Sequence, residues 1–358
     1  MPAAPCGGAP AAEAVPRSAA VWYGAGAAMI VPALVAFVVG TTGTWAWRGY
    51  ARRAMLDLPG ARSSHTAPTP RGGGVGALGG LAAGVVTSIL RGEAGSRALL
   101  LAAATALLPL AGVSLVDDAR GTSVRARYAV HVAAAAGAVA WLGAVEPAWL
   151  PGGAVVAAMI SAIGVTALVS FYNFMDGLDG LVAGSGVIQF GFVACWSGEP
   201  LWLVTAGGLL GFLVWNRPPA SIFLGDVGST AIGALAGLAI LAEWRSLGIQ
   251  HACVALPIVG DAMYTLARRA AARQNLLRAH HSHVYQRLLR SGLSHRAISG
   301  AYAALTLACG VAVSVAGTMG AVGASAVVLG ALAAAELRIL RRGVPFVRPA
   351  AASPEAAP

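Results

Sequence analysis

The stretch at residues 153–181 reads GAVVAAMISAIGVTALVSFY and continues as Asn173-Phe-Met-Asp176-Gly-Leu-Asp179-Gly-Leu181. Its first part is apolar and about twenty residues long, which is the length that an α-helix needs to cross a bilayer. Its second part carries two aspartates, and a carboxylate at hydrocarbon depth costs about 3 kcal/mol or more unless it faces water, a metal or a partner. An apolar run that ends in such a break predicts a transmembrane helix with candidate functional carboxylates at its end.

Runs of this kind recur along the chain, which has 358 residues, 57% of them hydrophobic and only 11% charged. Its mean hydropathy is +0.72, whereas an ordinary soluble domain has roughly a quarter of charged residues. The alternation with period two that a transmembrane β-barrel requires is absent. We therefore predict an all-α, polytopic transmembrane bundle of about 10–11 spans, with apolar runs at 24–47, 74–90, 98–116, 128–143, 153–172, 181–196, 201–215, 228–243, 249–267, 298–318 and 321–337.

The arginines predict the orientation of these spans. The chain contains no lysine, so arginine alone carries the net charge of +10. If the N-terminus lies outside, twenty of the 24 arginines fall on one side, and the other side keeps only Arg17, Arg91, Arg97 and Arg245. Positively charged loops favour the cytoplasm, which explains the basic charge without a nucleic-acid partner. A cytoplasmic active site follows, because five of the seven aspartates lie in polar breaks on that side.

The remaining composition predicts a single transmembrane domain at 21–342. The flanking segments, 1–20 and 343–358, are rich in alanine and proline, and we expect them to be disordered. The four cysteines show no C-x-x-C spacing, which indicates neither a disulfide framework nor a thiolate metal site.

Three polar breaks carry the candidate chemistry. Asp117-Asp118 ends one apolar run and could bind Mg²⁺, place a cationic group, act as a base or simply end a helix in solvent. In the segment 173–181 the glycines allow close approach to a ligand, although a glycine-rich turn is the alternative. Asp226 lies between glycines, ten residues after Asn216. Separated carboxylates with few other polar groups are typical of a Mg-nucleotide site.

Two basic segments complete the candidate site. Residues 62–74 combine arginines, a histidine and a glycine run: Arg62, His65, Arg71 and Gly72-Gly-Gly74. Residues 278–287 combine imidazoles and arginines: Arg278, His280, His281, His283 and Arg287. Both could cradle phosphates. The alternatives are a positive-inside loop for the first, and for the second a basic surface helix or a Zn²⁺ site.

Two further features have structural interpretations. Gly74-x-Gly76-x-x-Gly79 matches a dinucleotide-binding fingerprint in form, but no strand precedes it, and we interpret its small residues as a helix-packing surface. Asp261 lies within an apolar run and is expected to face the bundle interior.

Together and in this order, the segments resemble the polyprenyl-phosphate N-acetylhexosamine-1-phosphate transferase family, also called glycosyltransferase family 4. This family includes phospho-MurNAc-pentapeptide translocase and the enzymes that begin O-antigen and teichoic-acid glycans. The resemblance runs from about residue 50 to residue 290 through S-S-H-x-x-P-T-P-R-G-G-G (63–74), D-D (117–118), N-x-x-D-G-x-D-G-L (173–181), F-L-G-D-x-G-S (223–229) and the basic segment at 278–287, called the histidine loop below.

The resemblance implies a multi-pass protein of the cytoplasmic (inner) membrane that uses Mg²⁺, with Mn²⁺ as an alternative. It implies transfer of an N-acetylamino-sugar 1-phosphate from a UDP-sugar to undecaprenyl phosphate, with release of UMP; a homodimer is left open. The implied metal ligands are Asp226 and Asn173, and the implied catalytic residues are Asp117, Asp118, Asp179 and His283. The implied substrate contacts are His65, Arg71, Asn173, Asp176, Asn216, His280, His281 and Arg287.

Two departures from the peptidoglycan translocases favour the glycan-initiating branch. Those enzymes have three consecutive histidines in the histidine loop, where this chain reads His280-His-Ser-His283. They usually have a lysine at the position of His65. Transfer of phospho-MurNAc-pentapeptide, the peptidoglycan reaction, is the alternative to this branch.

Two other classes of membrane protein are alternatives to this interpretation. A cation-coupled transporter also uses intramembrane carboxylates, but it predicts acids at mid-span in both halves, and here they cluster at one face. A CDP-alcohol phosphotransferase would require a D-G-x-x-A-R run, of which only Asp118-Ala-Arg120 is present.

Overall fold

The computed structural model describes residues 19–59, 67–147, 151–276 and 280–346. The helices are α1 Ala19–Ala54, α2 Gly74–Leu90, α3 Arg97–Arg120, α4 Val124–Leu142, α5 Gly153–Met175, α6 Leu181–Ser197, α7 Pro200–Asn216, α8 Gly225–Leu247, α9 Leu256–Ala271, α10 Val284–Arg290 and α11 His295–Arg341. A 3₁₀ segment, Ile249–Ala255, precedes α9, and strands β1 Leu56–Asp57 and β2 Thr69–Pro70 form a short antiparallel pair.

The predicted fold class is confirmed in this part of the chain. Five helices are long and apolar enough to cross a membrane: Met29–Ala54, Arg97–Arg120, Gly153–Met175, Gly225–Leu247 and His295–Arg341. Three further apolar helices are shorter: Gly74–Leu90, Leu181–Ser197 and Pro200–Asn216. Each predicted apolar run falls on helical structure, since a helix satisfies every backbone polar group internally. The protein is an all-α, polytopic membrane protein.

The last two predicted runs lie within α11, which reverses direction at Gly317. This glycine has φ 50° and ψ −125°, a conformation outside the helical region. Beyond it, a Cβ on Gly320 would collide with the carbonyl of Ala312. Residues eight apart in a straight helix are about 12 Å apart, so α11 folds back on itself as a hairpin of two arms.

Helix α8 is the centre of the bundle. Buried side chains make up 72% of its apolar window, against 33% or less in the four other long helices. It packs against α2, α3, α4, α5 and α6. A helix that is apolar on all sides belongs in the interior, so the first turn of α8 lies where several helices end together. Asp226 is in that turn.

Small residues bring α1, α2 and α7 close together. A Cβ on Gly40 would lie 2.7 Å from the carbonyl oxygen of Gly208, which would force the helices apart. Within the G-x-G-x-x-G segment, a Cβ on Gly74 would collide with Gly228 and one on Gly76 with Thr44. The packing interpretation is confirmed for these two glycines, whereas Gly79 has open space beside it.

The orientation in the membrane gives the first testable prediction. Because of the arginine distribution, the loops at 48–73, 117–127 and 268–297 should be cytoplasmic. Single cysteines can be introduced into a chain without native cysteines at exposed loop positions and at one external control: Arg53, Arg120, Arg273 and, outside, Arg245. An impermeant maleimide added to intact cells should label only the Arg245→Cys variant. Labelling of any of the other three variants would contradict the orientation.

Candidate active site

Backbone hydrogen bonds join the first loop, which connects α1 to α2, to the start of α8. The amides of Gly73 and Gly74 donate to the carbonyls of Phe223 and Leu224 at 2.9 and 2.8 Å. In return, the amide of Phe223 donates to the carbonyl of Pro70 at 2.8 Å. Two motifs that are about 150 residues apart in sequence are therefore paired like short strands.

Gly225 brings the Asp pair into the same place. It has φ 75°, and a Cβ there would lie 2.8 Å from the amide nitrogen of Gly72 and 2.9 Å from Oδ2 of Asp118. Only glycine allows the three chain segments to approach this closely. Asp118 is buried, and its Oδ2 has no hydrogen-bonding partner among the described residues. Arg71 lies beside it, with Nε 3.8 Å from Oδ1 and Nη2 donating to its carbonyl.

Arg127 bridges two of the predicted carboxylates. Its Nη1 lies 2.6 Å from Oδ2 of Asp117 and 3.2 Å from Oδ2 of Asp226. The other oxygen of Asp117 accepts from both the amide and the hydroxyl of Thr122, each at 2.6 Å. The end of α3, the start of α4 and the start of α8 thus share one charged cluster, in which the guanidinium offsets the repulsion between two acids.

Asn173 connects this cluster to the N-x-x-D-G-x-D-G-L segment. Its Nδ2 donates to Oδ1 of Asp226 at 2.9 Å and to the hydroxyl of Ser229 at 3.1 Å. Ser229 is one turn further along α8. Asn173 and Asp226, the predicted metal ligands, are therefore in direct contact.

Asp176 completes a group of four aspartates. Burial, followed by the charges of Asp226 and Asp118, raises the pKa of Asp176 well above its usual range, and the Gly225 amide only partly opposes this. The amide of Gly225, which donates to the Asp176 carboxylate, belongs to the residue directly before Asp226 and so places Asp176 beside Asp226. Asp117, Asp118, Asp176 and Asp226 consequently form a strongly acidic site that a bound cation would relieve.

Asp179 and Asn216 have structural contacts further along the same loops. Oδ2 of Asp179 accepts from the amide of Ala220 at 3.0 Å and lies 3.3 Å from Nδ1 of His295. Asn216 is buried and crosslinks two loops, accepting from the amide of Gly180 at 2.9 Å and donating to the carbonyl of Ile222 at 3.0 Å. Through these contacts both residues stabilise the loops next to the acidic cluster. A catalytic role for Asp179 and a substrate contact for Asn216 stay predictions.

The histidine loop forms a stack of rings. The ring centroids of His280 and His283 are 4.9 Å apart, and those of His283 and Tyr285 are 5.8 Å apart. Burial lowers the pKa of His280 to about 3, so this imidazole is neutral at pH 7. His280 is therefore suited to stacking and hydrogen bonding rather than to neutralising a diphosphate. His281, by contrast, is exposed and contacts Gln286 at 3.4 Å.

Arg287, a predicted substrate contact, has its partners outside the acidic cluster. Arg287 is fully buried, and its guanidinium pairs with Glu336 in the second arm of α11, which also pairs with Arg268 at 2.8 Å. In this structure Arg287 anchors the histidine loop to α11, and its contact with substrate stays a prediction. His65 lies outside the described residues.

No sequence motif identifies Arg127 or Thr122 as a site residue. The charge distribution places Arg127 among the cytoplasmic arginines and gives it no individual role. The feature that distinguishes it is local: Ser123 caps α4 by accepting from the Ala126 amide, so Arg127 lies in the first turn beside the end of α3.

The acidic cluster fits a divalent cation. Among the described residues, no group of three or more His, Cys, Asp or Glu side chains is arranged to hold a metal ion as it stands. Mg²⁺, however, usually takes only one or two protein carboxylates and completes its shell with water and substrate phosphate oxygens. Oδ2 of Asp118, which is buried with no partner in the part of the chain that the structure describes, and the partly exposed Asp226 are oxygen ligands of the kind that Mg²⁺ prefers.

Comparison with known proteins agrees with this arrangement. Residues 99–243 match glycosyl transferase family 4. A protein of Bacillus subtilis (strain 168) named probable undecaprenyl-phosphate N-acetylglucosaminyl 1-phosphate transferase is 28% identical, with 67% of this chain and 71% of that protein covered. A decaprenyl-phosphate N-acetylglucosaminephosphotransferase of Mycobacterium tuberculosis (strain ATCC 25618 / H37Rv) is also 28% identical, with 69% and 72% covered. Residues 99–243 are thus similar to glycosyl transferase family 4, and about two thirds of the chain is similar to these two transferases.

The family 4 match covers the Asp pair, the N-x-x-D-G-x-D-G-L segment and the F-L-G-D-x-G-S segment. A shorter region is similar to the phospho-N-acetylmuramoyl-pentapeptide-transferase of Enterococcus faecalis (strain ATCC 700802 / V583), 42% identical over 24% of this chain and 31% of that protein. The resemblance inferred from the motifs is confirmed. The first loop and the histidine loop lie outside residues 99–243. The first loop is joined to this region by the backbone hydrogen bonds described above, and the histidine loop by a hydrogen bond from the hydroxyl of Tyr285 to the carbonyl of Phe174.

Proposed function

We propose that this chain transfers an N-acetylamino-sugar 1-phosphate from a UDP-sugar to undecaprenyl phosphate or a related polyprenyl phosphate, with release of UMP. The product would be the first lipid-linked intermediate of a cell-envelope glycan. The observation that carries the proposal is the convergence of four aspartates with Arg71 and Arg127 at the ends of membrane helices. A lipid phosphate and a soluble nucleotide can meet at such a place, and the relatives named above are described as transferases of this kind.

The proposed reaction is an in-line phosphoryl transfer. An oxygen of the lipid phosphate attacks the β-phosphorus of the UDP-sugar and forms a new P–O bond, while the bond to the bridging oxygen breaks and UMP leaves. Such reactions require positioned groups and charge neutralisation more than covalent work by the protein. Arg127 would neutralise phosphate charge beside Asp117, and Arg71 would do so beside Gly72-Gly-Gly74.

A divalent cation, proposed to be Mg²⁺ with Mn²⁺ as a substitute, would be held by Asp226 with Asn173 beside it. When bound, it would neutralise phosphate charge and stabilise the leaving UMP. The protein's own part is to hold Asp226 in place. It does so through Asn173 and through the first turn of the most buried helix, so the carboxylate does not need to reorganise during the reaction.

The proposal is tested with purified protein in nanodiscs, undecaprenyl phosphate, Mg²⁺ and a panel of UDP-N-acetyl sugars. We expect one of these donors to give lipid-linked product and UMP in equal amounts, and no UMP when the lipid is omitted. UDP-MurNAc-pentapeptide belongs in the panel, because its use would assign the chain to the peptidoglycan reaction instead. If no donor yields lipid-linked product, the proposed function is wrong.

A further inference from the structure

A carboxylate in the interior of the bundle is surrounded by hydrogen-bond donors. Asp261 of α9 has no exposed surface. Its two oxygens accept from two backbone amides and two hydroxyls: Val284 N at 2.8 Å, Tyr285 N at 3.0 Å, Tyr302 Oη at 2.6 Å and Thr265 Oγ1 at 3.0 Å. A charge this deep is costly unless its partners satisfy it fully. Four such bonds explain how it is tolerated, but not why an acid is used there.

The residue before these amides is His283. Its Nδ1 lies 3.5 Å from Oδ1 of Asp261, and only 3% of its side chain is exposed. This separation is longer than a good hydrogen bond, but contacts of this kind often tighten only when substrate binds. Since the two nitrogens of an imidazole point to opposite sides of the ring, Nε2 is directed away from α9.

The loop that carries His283 is anchored to the acidic site. The hydroxyl of Tyr285 donates to the carbonyl of Phe174 at 3.1 Å, and a Cβ on Gly177 would collide with that hydroxyl. Phe174 follows Asn173 directly, and Gly177 follows Asp176. The contacts between Asp261 and the start of α10 therefore set the height of the histidine loop over the carboxylate cluster.

We propose that Asp261 is a positioning residue that acts through His283. It fixes the start of α10 by accepting two of its amides, and it holds the His283 ring with Nδ1 towards the carboxylate. In that orientation His283 carries its proton on Nδ1 and presents Nε2 as the acceptor for substrate. This inference rests on the proposed function, because it assigns His283 a place at the phosphoryl-transfer site.

The first test is a double-mutant cycle on kcat in the assay described above, made with Asp261→Asn, His283→Gln and the pair. Asp261→Asn alone should lower kcat on the order of 10- to 100-fold with little change in KM, the usual range for a group that orients another. In the His283→Gln background the same change should cost less than about 3-fold, because residues that act as one unit are not additive. Independent, multiplicative losses would overturn the proposal.

Tyr302→Phe is the matched control, since it removes a hydrogen bond to the same carboxylate and keeps the acid. It should lower the melting temperature and leave kcat within about 3-fold of wild type, because the loss of one hydrogen bond costs about 1 kcal/mol of stability. If Tyr302→Phe lowers kcat as much as Asp261→Asn does, the effect is structural and the proposal is wrong. An inactive wild-type protein would refute the proposed function instead.

A second measurement needs no variant of Asp261 to fold. Side-chain ¹⁵N spectra of the wild-type protein in nanodiscs, with the His283 signals assigned by their loss in His283→Gln, report which ring nitrogen carries the proton. We expect the Nδ1–H tautomer. Observation of the Nε2–H tautomer would overturn the assignment of Asp261 as its partner.

Discussion

Asp226→Ala is expected to abolish turnover while the protein still inserts and folds. Removing one group that stabilises charge in a transition state typically lowers kcat about 10²- to 10³-fold, and Asp226 contacts both Arg127 and Asn173. The fold should survive, because the side chain is 30% exposed and Arg127 keeps its contact with Asp117 at 2.6 Å. The measurements are kcat over a range of Mg²⁺ concentrations and the melting temperature in the same nanodiscs.

A matched control removes an acid far from the site. Glu93→Ala makes the same charge change in the loop after α2, where Glu93 pairs with Arg91 at 2.9 Å. It should retain wild-type kcat, since Glu93 contacts none of the site residues and an exposed ion pair contributes little to stability. Near-normal activity of Asp226→Ala at low Mg²⁺ would remove Asp226 from the metal ligands.

The sequence predicted helix positions well because span length and hydrophobicity depend on the chain locally. The run at 74–90, for example, is α2 with the same bounds. The reversal at Gly317 was expected only as a gap between two runs. Its shape depends on the packing of Gly320 against Ala312, which no local pattern reveals.

The candidate site was predictable for residues whose type is unusual in its surroundings. Aspartates in an apolar chain are such residues, and four of them converge in the structure. Arg127 was missed, because a cytoplasmic arginine is ordinary in a membrane protein and its role comes from one helical turn of α4. Asp261 was expected to face the interior and does, but its contact with His283 depends on tertiary structure.

Substitution of either member of the Asp pair is also expected to lower kcat strongly. Asp117 has both oxygens engaged, by Thr122 and by Arg127, whereas Asp118 has a buried oxygen without a partner among the described residues. If they orient the lipid phosphate or its metal, Asp→Asn at either position should lower kcat by about 10²- to 10³-fold, or roughly 3–4 kcal/mol. UDP-sugar binding, measured by isothermal titration, should be largely unchanged.

The same pair distinguishes a single displacement from a covalent route. A phosphate monoester has a second pKa of about 6, so the lipid phosphate is largely dianionic near pH 7 and needs no strong base. We therefore expect no UMP from enzyme and UDP-sugar alone. An aspartyl-phosphate route would instead release one equivalent of UMP before lipid is added. Asp118, whose Oδ2 has no hydrogen-bonding partner in the described part of the chain, would be the nucleophile to examine first. A stoichiometric UMP burst without lipid, lost in Asp117→Asn or Asp118→Asn, would replace the single displacement by the two-step route and leave the similarity to family 4 intact.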